Sequence, residues 1–293
     1  MEIIVGKNAG FCFGVRNAVD KTTEVLKRKG KAYCLGELVH NRQVVEKLER
    51  QGLRTIERLD QIQKETVIVR AHGIPTQVYQ QAKERQIELE DFTCPKVQAI
   101  HRIAEEKAKQ NNYLFLIGDK KHPETVGSIS FGGKNSCVIE NLEQVKQAME
   151  QWESSKCEKL VVLSQTTIKV SDFEEIINTI QQQVEESRLE IYRTICLSTQ
   201  ERQKETMQIA KQVDSMIIIG GKNSSNTKQL YEVAKEYCPM VIKIETEKEL
   251  ENTMLEGKKK IGIMAGASTS QQSIQQVIET LKQMEESNDS TNN

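Results

Sequence analysis

Several things are scarce in this chain, and each scarcity removes a class of function. No apolar run approaches the roughly 18 residues a membrane helix needs. The N-terminal MEIIVGKNAG lacks the charged start, long apolar stretch and small-residue cleavage site of a secretory signal. The expected location is therefore the cytoplasm. Aromatic residues make up 4% of the chain, too few for platforms that stack the bases of single strands. Neither sign of charge dominates: 28% of residues are charged, the formal net charge is −1, and no basic stripe marks a nucleic-acid partner. There is no G-x-G-x-x-G and no Walker loop, GGKNSSN matching the latter only loosely, so no nucleotide is implied. No two cysteines form a C-x-x-C pair. That argues against a ferredoxin-type cluster, a zinc ribbon and a radical enzyme with closely spaced ligands.

What is present is a set of 7 cysteines in 293 residues. In a reducing compartment such thiols are metal ligands or small core fillers rather than disulfides. The length fits two or three compact units. Three of the cysteines open an internal repeat. His40 lies 28 residues after Cys12, His122 lies 28 after Cys94, and Ser224 lies 28 after Cys196. Each polar residue stands four positions after a glycine that ends an apolar strand: Gly36, Gly118 and Gly220. A second layer follows, with TVIVRAHG reaching His72, LVVLSQTT reaching Thr166 and IGIMAGAS reaching Ser268, at 60, 72 and 72 residues from the cysteines. The first repeat is shorter because its helix RLDQIQKE is shorter than NLEQVKQAMEQW. TIE, VIE and KIE at 55–57, 138–140 and 243–245 read as short strands.

A helical period follows Cys12 through Val15, Ala18, Val19, Thr22, Val25 and Leu26 to Gly30, and another follows Cys94 as far as Asn111. Strands alternating with such helices imply an α/β fold of mainly parallel sheets: three units related by a pseudo-threefold axis. The expected units are 13–95, 96–192 and 193–284. Residues 1–12 supply the strand that the third unit lacks, and 285–293 form a disordered tail.

Ligands of parallel sheets bind beyond the carboxyl ends of the strands, where all these marked residues fall. Cys12, Cys94 and Cys196 then read as three thiolates on one cubane iron–sulfur cluster, with one iron left open as a Lewis acid. A three-cysteine zinc site stays open as an alternative. Cys34, Cys137 and Cys157 read as core residues. Cys238 falls outside the register although Pro239 follows it as Pro95 follows Cys94, and His101 reads as an ordinary helix residue. His40, His122 and Ser224 stand at helix starts, which favour anions. With His72, Ser225, Asn226 and Ser268 they would cradle a phosphate or diphosphate. Glu124, a carboxyl among histidines beside an anion, is the natural proton donor.

GFCFGVRNAV, VHNR, AHG, DFTCPKV, GDKKHPE, SQTT, TIC with STQERQ, and KNSSN with AGAS together resemble the hydroxymethylbutenyl diphosphate reductase family over residues 3–282. The resemblance implies a trefoil of three α/β domains around a central [4Fe-4S] cluster held by Cys12, Cys94 and Cys196, one iron remaining open. It implies reductive removal of the C4 hydroxyl of an allylic diphosphate, yielding isopentenyl and dimethylallyl diphosphate. His40, His72, His122, Ser224, Ser225, Asn226 and Ser268 would bind the diphosphate and Glu124 would deliver protons. Thr166, with Thr167, would touch the hydroxyl end. The repeat register favours Thr166 over Thr167. Electrons would come singly from a ferredoxin- or flavodoxin-type donor. Two rival readings are a dehydratase similar to quinolinate synthase, which would want arginines for carboxylates, and a non-catalytic iron–sulfur redox sensor.

Overall fold

The computed structural model describes residues 1–251 and 257–291, the last five by backbone alone. The chain opens with β1 (Glu2–Val5) and α1 (Phe13–Lys29). A first sheet collects β2 (Ala32–Leu35), β3 (Leu53–Ile56), β4 (Val67–Val69) and β5 (Leu89–Asp91) in the order β3-β2-β4-β5. A second collects β6 (Tyr113–Ile117), β7 (Ser136–Ile139), β8 (Leu160–Ser164) and β9 (Leu189–Ile191) in the order β7-β6-β8-β9. A third collects β10 (Ser215–Ile219), β11 (Val241–Ile244), β12 (Lys260–Ala265) and β1 in the order β11-β10-β12-β1. Every described pairing is parallel. β1 therefore takes the edge position that β5 and β9 occupy in the other two sheets. Glu2 pairs with Lys260 and Val5 with Ile263. The chain divides into two compact units: 1–16, 39–47 and 197–293 hold the third sheet, and 17–38 and 48–196 hold the first two.

Parallel strands need helical crossovers, and these cover both sheet faces. In β6 every residue of YLFLI is buried, and the two-residue period sorts them. Phe115 and Ile117 pack with Trp152, Phe173, Ile176 and Ile180 from α6 (Val145–Ser154) and α7 (Val170–Gln181). Leu114 and Leu116 pack on the other face with Ile100 and Ala104 of α4 (Pro95–Lys109). The third sheet repeats this. Ile217 and Ile263 face Ile274, Val277 and Leu281 of α10 (Gln271–Thr291), while Met216 and Met264 face Ile209 of α8 (Leu197–Ala210) and Leu230 of α9 (Ser225–Lys235).

α1 stops where expected. Gly30 adopts φ +72°, the left-handed cap that glycine takes without strain, and its N–H donates to Leu26 O at 2.8 Å. Gly52, which ends α2 (Arg42–Arg50), lies so close that a Cβ there would be 2.2 Å from Gly30 O. The stretches expected as short strands at 55–57, 138–140 and 243–245 fall on β3, β7 and β11, all edge strands.

Two expectations differ. RLDQIQKE forms one 3₁₀ turn, Leu59–Gln61, in place of a helix. The turn is closed by the Gln61 side chain accepting from the N–H groups of Glu57 and Arg58. Helix α10 continues to Thr291, past the expected end at 284. The polar residues there include neither glycine nor proline, so nothing local breaks the helix, and the Glu285 carboxylate pairs with the amino group of Met1. Residues 292–293 lie outside the described residues.

Candidate active site

The repeat is written in backbone hydrogen bonds as well as in residue types. Gly36, Gly118 and Gly220 each donate to the last isoleucine of the edge strand, at Ile56, Ile139 and Ile244, over 2.8, 2.9 and 2.9 Å. Beyond these glycines the chain turns outward to the polar residues and into a helix.

The helix starts differ in detail. Pro123 and Glu124 open α5 (Pro123–Ser130), with His122 as N-cap. Its Nδ1 accepts from Glu124 N at 3.2 Å, so in a neutral ring the proton sits on Nε2. Ser224 caps α9, its Oγ accepting from Thr227 N at 3.2 Å while its own hydroxyl hydrogen stays free to point elsewhere. In the first repeat the cap is Asn41, whose Oδ1 accepts from Val44 N at 3.2 Å, so α2 begins one residue later and His40 precedes the cap.

The second layer settles the register. Cys94 N donates to Ala71 O at 3.0 Å, Cys196 N to Thr166 O at 3.1 Å, and Cys12 N to Ala267 O at 3.1 Å. Ala71, Thr166 and Ala267 are thus equivalent. The residues in register with His72 and Ser268 are therefore not Thr166 but Thr167. The pairing of β6 with β8 and of β10 with β12 agrees, because Gln165 N and Gly266 N donate to Ile117 O and Ile219 O alike. Counting from the cysteines misses this because the path from Cys94 to Thr166 is one residue longer than that from Cys196 to Ala267.

Thr166 is nonetheless tied to the chemistry of the site. Its N–H donates to Glu124 Oε1 at 2.6 Å and its hydroxyl to Oε2 at 2.7 Å. Both residues are buried. Burial pushes the Glu124 carboxyl up to about 7, against the two Thr166 bonds, which favour the ionised form. A carboxyl poised there can give or take a proton near neutral pH. The His72 and His122 rings meet edge to face in the same unit, with centroids 5.4 Å apart.

In the other unit, Ser268 Oγ donates to His40 O at 3.0 Å, so its hydrogen is already engaged there. Gly221 leaves room for that carbonyl: a Cβ would be 2.2 Å from His40 O. Ser225 is the first residue of α9. Asn226 beside it is buried, and neither Oδ1 nor Nδ2 has a partner among the described residues. A buried amide left so costs stability, and a bound ligand or water would satisfy it.

Cys12, Cys94 and Cys196 are half-buried cysteines in no disulfide, each directly preceding a helix: α1, α4 and α8. Cys12 belongs to the unit of the third sheet and the other two to the larger unit. The N–H of Val15 donates to Cys12 Sγ over 3.5 Å. By contrast, burial pushes Cys34 up to about 12 and Cys137 up to about 11, which keeps them as thiols. Cys157 and Cys238 are buried. His101 is buried and stacked on Phe131 at 4.3 Å, and burial lowers it to about 4.

Two supporting residues escaped the sequence reading. Gln165 Oε1 accepts from Asp119 N (3.0 Å) and Thr125 Oγ1 (3.2 Å), and its Nε2 donates to Thr167 Oγ1 (2.9 Å). It locks the turn that carries His122 to the turn after β8 that carries Thr166 and Thr167. Arg202 Nη2 donates to Gly10 O at 2.7 Å and holds the loop before Cys12. Their signal was present in SQTT and STQERQ, but spacing does not tell a supporting polar residue from a binding one.

Comparison with known proteins matches residues 3–282 to a family described as LytB protein. A relative from Clostridioides difficile (strain 630), named 4-hydroxy-3-methylbut-2-enyl diphosphate reductase, is 38% identical over 97% of this chain and 100% of its own length. A relative of the same name from Aquifex aeolicus (strain VF5) is 38% identical over 94% of each chain. Among solved structures, (E)-4-hydroxy-3-methyl-but-2-enyl diphosphate reductase, described as the terminal enzyme of the non-mevalonate pathway, superposes with a TM-score of 0.68. It is 35% identical over 97% of this chain and 100% of that one. The E-1-hydroxy-2-methyl-but-2-enyl-4-diphosphate reductase of Plasmodium falciparum superposes with a TM-score of 0.87. It is 28% identical over 95% of this chain and 87% of that one.

Proposed function

The chain belongs to the LytB protein family, and from that premise we propose that it is a 4-hydroxy-3-methylbut-2-enyl diphosphate reductase. The reaction removes the C4 hydroxyl of the allylic diphosphate. Two electrons and two protons enter, the C–O bond breaks, a C–H bond forms, and isopentenyl or dimethylallyl diphosphate leaves with water. The observation that carries this reading is the buried Glu124 carboxyl with both oxygens held by Thr166, in a chain that matches the family over nearly its whole length.

The chemistry of the three exceptional cysteines fits a [4Fe-4S] cluster. They are half-buried, in no disulfide, anchored by equivalent backbone bonds and seated at helix starts. Cys12, Cys94 and Cys196 would hold it. When bound, such a cluster supplies one-electron redox chemistry and one iron without a protein ligand as a Lewis acid. The chain's own residues supply the rest. Ser224, Ser225, Asn226 and the α9 N-terminus would take diphosphate oxygens, as would Nε2 of His122 with His40 and His72. Ser268 joins them by turning its hydroxyl away from His40 O. Glu124 gives its proton to the departing oxygen, and Thr166 both orients that carboxyl and stands next to it as a relay, with Thr167 alongside. The polar set is histidine, serine, threonine and asparagine, which suits a diphosphate better than the carboxylates of a dehydratase similar to quinolinate synthase. Domain limits at 13–95, 96–192 and 193–284 with 1–12, a cytoplasmic location and a ferredoxin- or flavodoxin-type electron donor complete the proposal. No helix among the described residues is long and apolar enough to cross a membrane.

Glu124→Gln tests it. The variant should bind the allylic diphosphate with its affinity little changed, while dithionite-driven turnover falls about a hundredfold or more. Unaltered turnover would overturn the proton role.

A further inference from the structure

Each sheet has the same crevice, and the chain fills it in three different ways. Ala71, Thr166 and Ala267 are equivalent by their bonds to the cysteines, so the residues before them, Arg70, Gln165 and Gly266, are equivalent too. Strand register sets each beside a turn glycine. Cys34 pairs with Ile68, Ile117 with Ser164 and Ile219 with Ala265, which brings Gly36 level with Arg70, Gly118 with Gln165 and Gly220 with Gly266. The place lies between the two central strands, where the strand order reverses and parallel sheets open a crevice. The second sheet closes it with Gln165, whose side chain accepts from Asp119 N, just after Gly118, and donates to Thr167, the residue in register with His72. The third has no side chain at Gly266, and Thr227 fills the gap: a Cβ on Gly220 or Gly266 would collide with its Oγ1.

In the first sheet the occupant is a guanidinium. A Cβ on Gly36 would collide with Arg70 Nη1 and stand 3.0 Å from Cζ, so the group rests directly on that turn. Gly36 leaves the room at φ +72°. Arg70 Nε is buried without a hydrogen-bond partner among the described residues. Burial works against the charge, and Glu37, the residue after Gly36, favours it. The backbone of Arg70 serves the other side. Its carbonyl accepts from Gly73 N at 3.0 Å and closes the turn that holds His72. The His101 ring backs that turn, with Cε1 2.6 Å from where a Gly73 Cβ would be. We propose that Arg70 is a positioning residue for His72: its guanidinium, seated on Gly36, ties the Gly36–Glu37 turn to the His72 turn, as Gln165 ties Gly118–Asp119 to Thr167. The inference deepens the reductase reading above, in which His72 takes a diphosphate oxygen. Arg70 acts through His72, so its loss costs substrate binding rather than the chemical step.

The test uses the cluster-loaded protein with dithionite as reductant. Arg70→Met keeps the reach of the side chain and removes its charge and donors. It should raise KM for the allylic diphosphate and Kd for inorganic pyrophosphate about tenfold, with kcat changed by less than about twofold. Arg70→Lys, a milder change that keeps the charge and loses the planar fork, should shift both constants about threefold. Gly36→Ala keeps Arg70 and removes its seat, and should reproduce the Arg70→Met shift. Combined with Arg70→Met it should add little, because the two changes break one contact. KM and Kd unmoved in Arg70→Met and Arg70→Lys, with only the melting temperature lowered, would make Arg70 a packing residue and overturn the proposal. A fall in kcat at constant KM would overturn it as well, and so would additive losses in the double variant. Failure of the wild-type protein to reduce the allylic diphosphate would instead count against the reductase reading.

Discussion

Thr166 gives Glu124 both hydrogen bonds it has to give: the backbone N–H to one carboxyl oxygen at 2.6 Å and the hydroxyl to the other at 2.7 Å. The carboxyl is thus fixed in orientation while its pKa is set by opposing influences. Burial raises it to about 7 and Thr166 draws it back.

A pH dependence follows. If the protonated acid is the active form, as proposed, kcat/KM with dithionite should be level below about pH 7 and fall tenfold per pH unit above it, as Glu124 ionises. Folding stability shares the sign. The folded-state pKa is raised from 4.5, so the protonated form is the one folding favours, and stability is lost as pH rises from about 4.5 through about 7. Glu124→Gln should remove both slopes, as rate profiles and melting curves across pH 5–9 would reveal. A wild-type rate that is flat from pH 6 to 9 would exclude this acid.

Removing the Thr166 hydroxyl tests the partnership rather than the acid. Thr166→Val deletes a bond that favours the carboxylate, so Glu124 should stay protonated to higher pH while losing its orientation. Turnover should drop about tenfold and the alkaline limb of the rate profile should move upward. Thr166→Ser keeps the hydroxyl and should restore both. A drop in turnover with no movement of the limb would show packing alone to be at fault.

Asn226 should show stability and function in opposition. Its buried amide lacks partners among the described residues. Asn226→Leu has nearly the same volume and should stabilise the ligand-free protein by about 1 kcal/mol. The same change should weaken pyrophosphate binding about tenfold or more, because a diphosphate loses a donor. Melting temperature and calorimetric titration measure the two effects. A variant that melts lower and binds equally well would make Asn226 a structural residue.

Iron should depend on register, not on the number of cysteines. Cys12→Ser, Cys94→Ser and Cys196→Ser should each lose most bound iron and sulfide under anaerobic isolation. Cys34→Ser and Cys238→Ser, at buried positions in β2 and in the turn after α9, should retain them. Retention of full iron in any of the first three would remove that residue from the ligand set.

Most of the architecture was legible because the repeat fixes strand, turn and helix start three times over. Gly36, Gly118 and Gly220 mark equal places both in spacing and in hydrogen bonding. The shift from Thr166 to Thr167 was not legible, because a backbone hydrogen bond leaves no trace in residue type and one extra residue between layers moves the count unseen. Asn41 as the cap of α2 was hidden for the same reason: three polar residues in a row can each cap a helix, and only the backbone angle chooses. Gln165 and Arg202 were visible as letters but not as supports, since their roles depend on which loop lies across from them.

β1 precedes every other described strand in the sequence, yet Glu2 finds its partner at Lys260. The first two sheets can close while the chain is still being made; the third cannot. The loop that follows β1 shares this delay, because Cys12 N is bound by Ala267 O. Cys12 therefore gains its backbone anchor only after the stretch that follows β12 has formed, and the cluster proposed for it would be loaded after that step. A truncation before β12 should yield a folded remainder of two sheets with no settled position for Cys12.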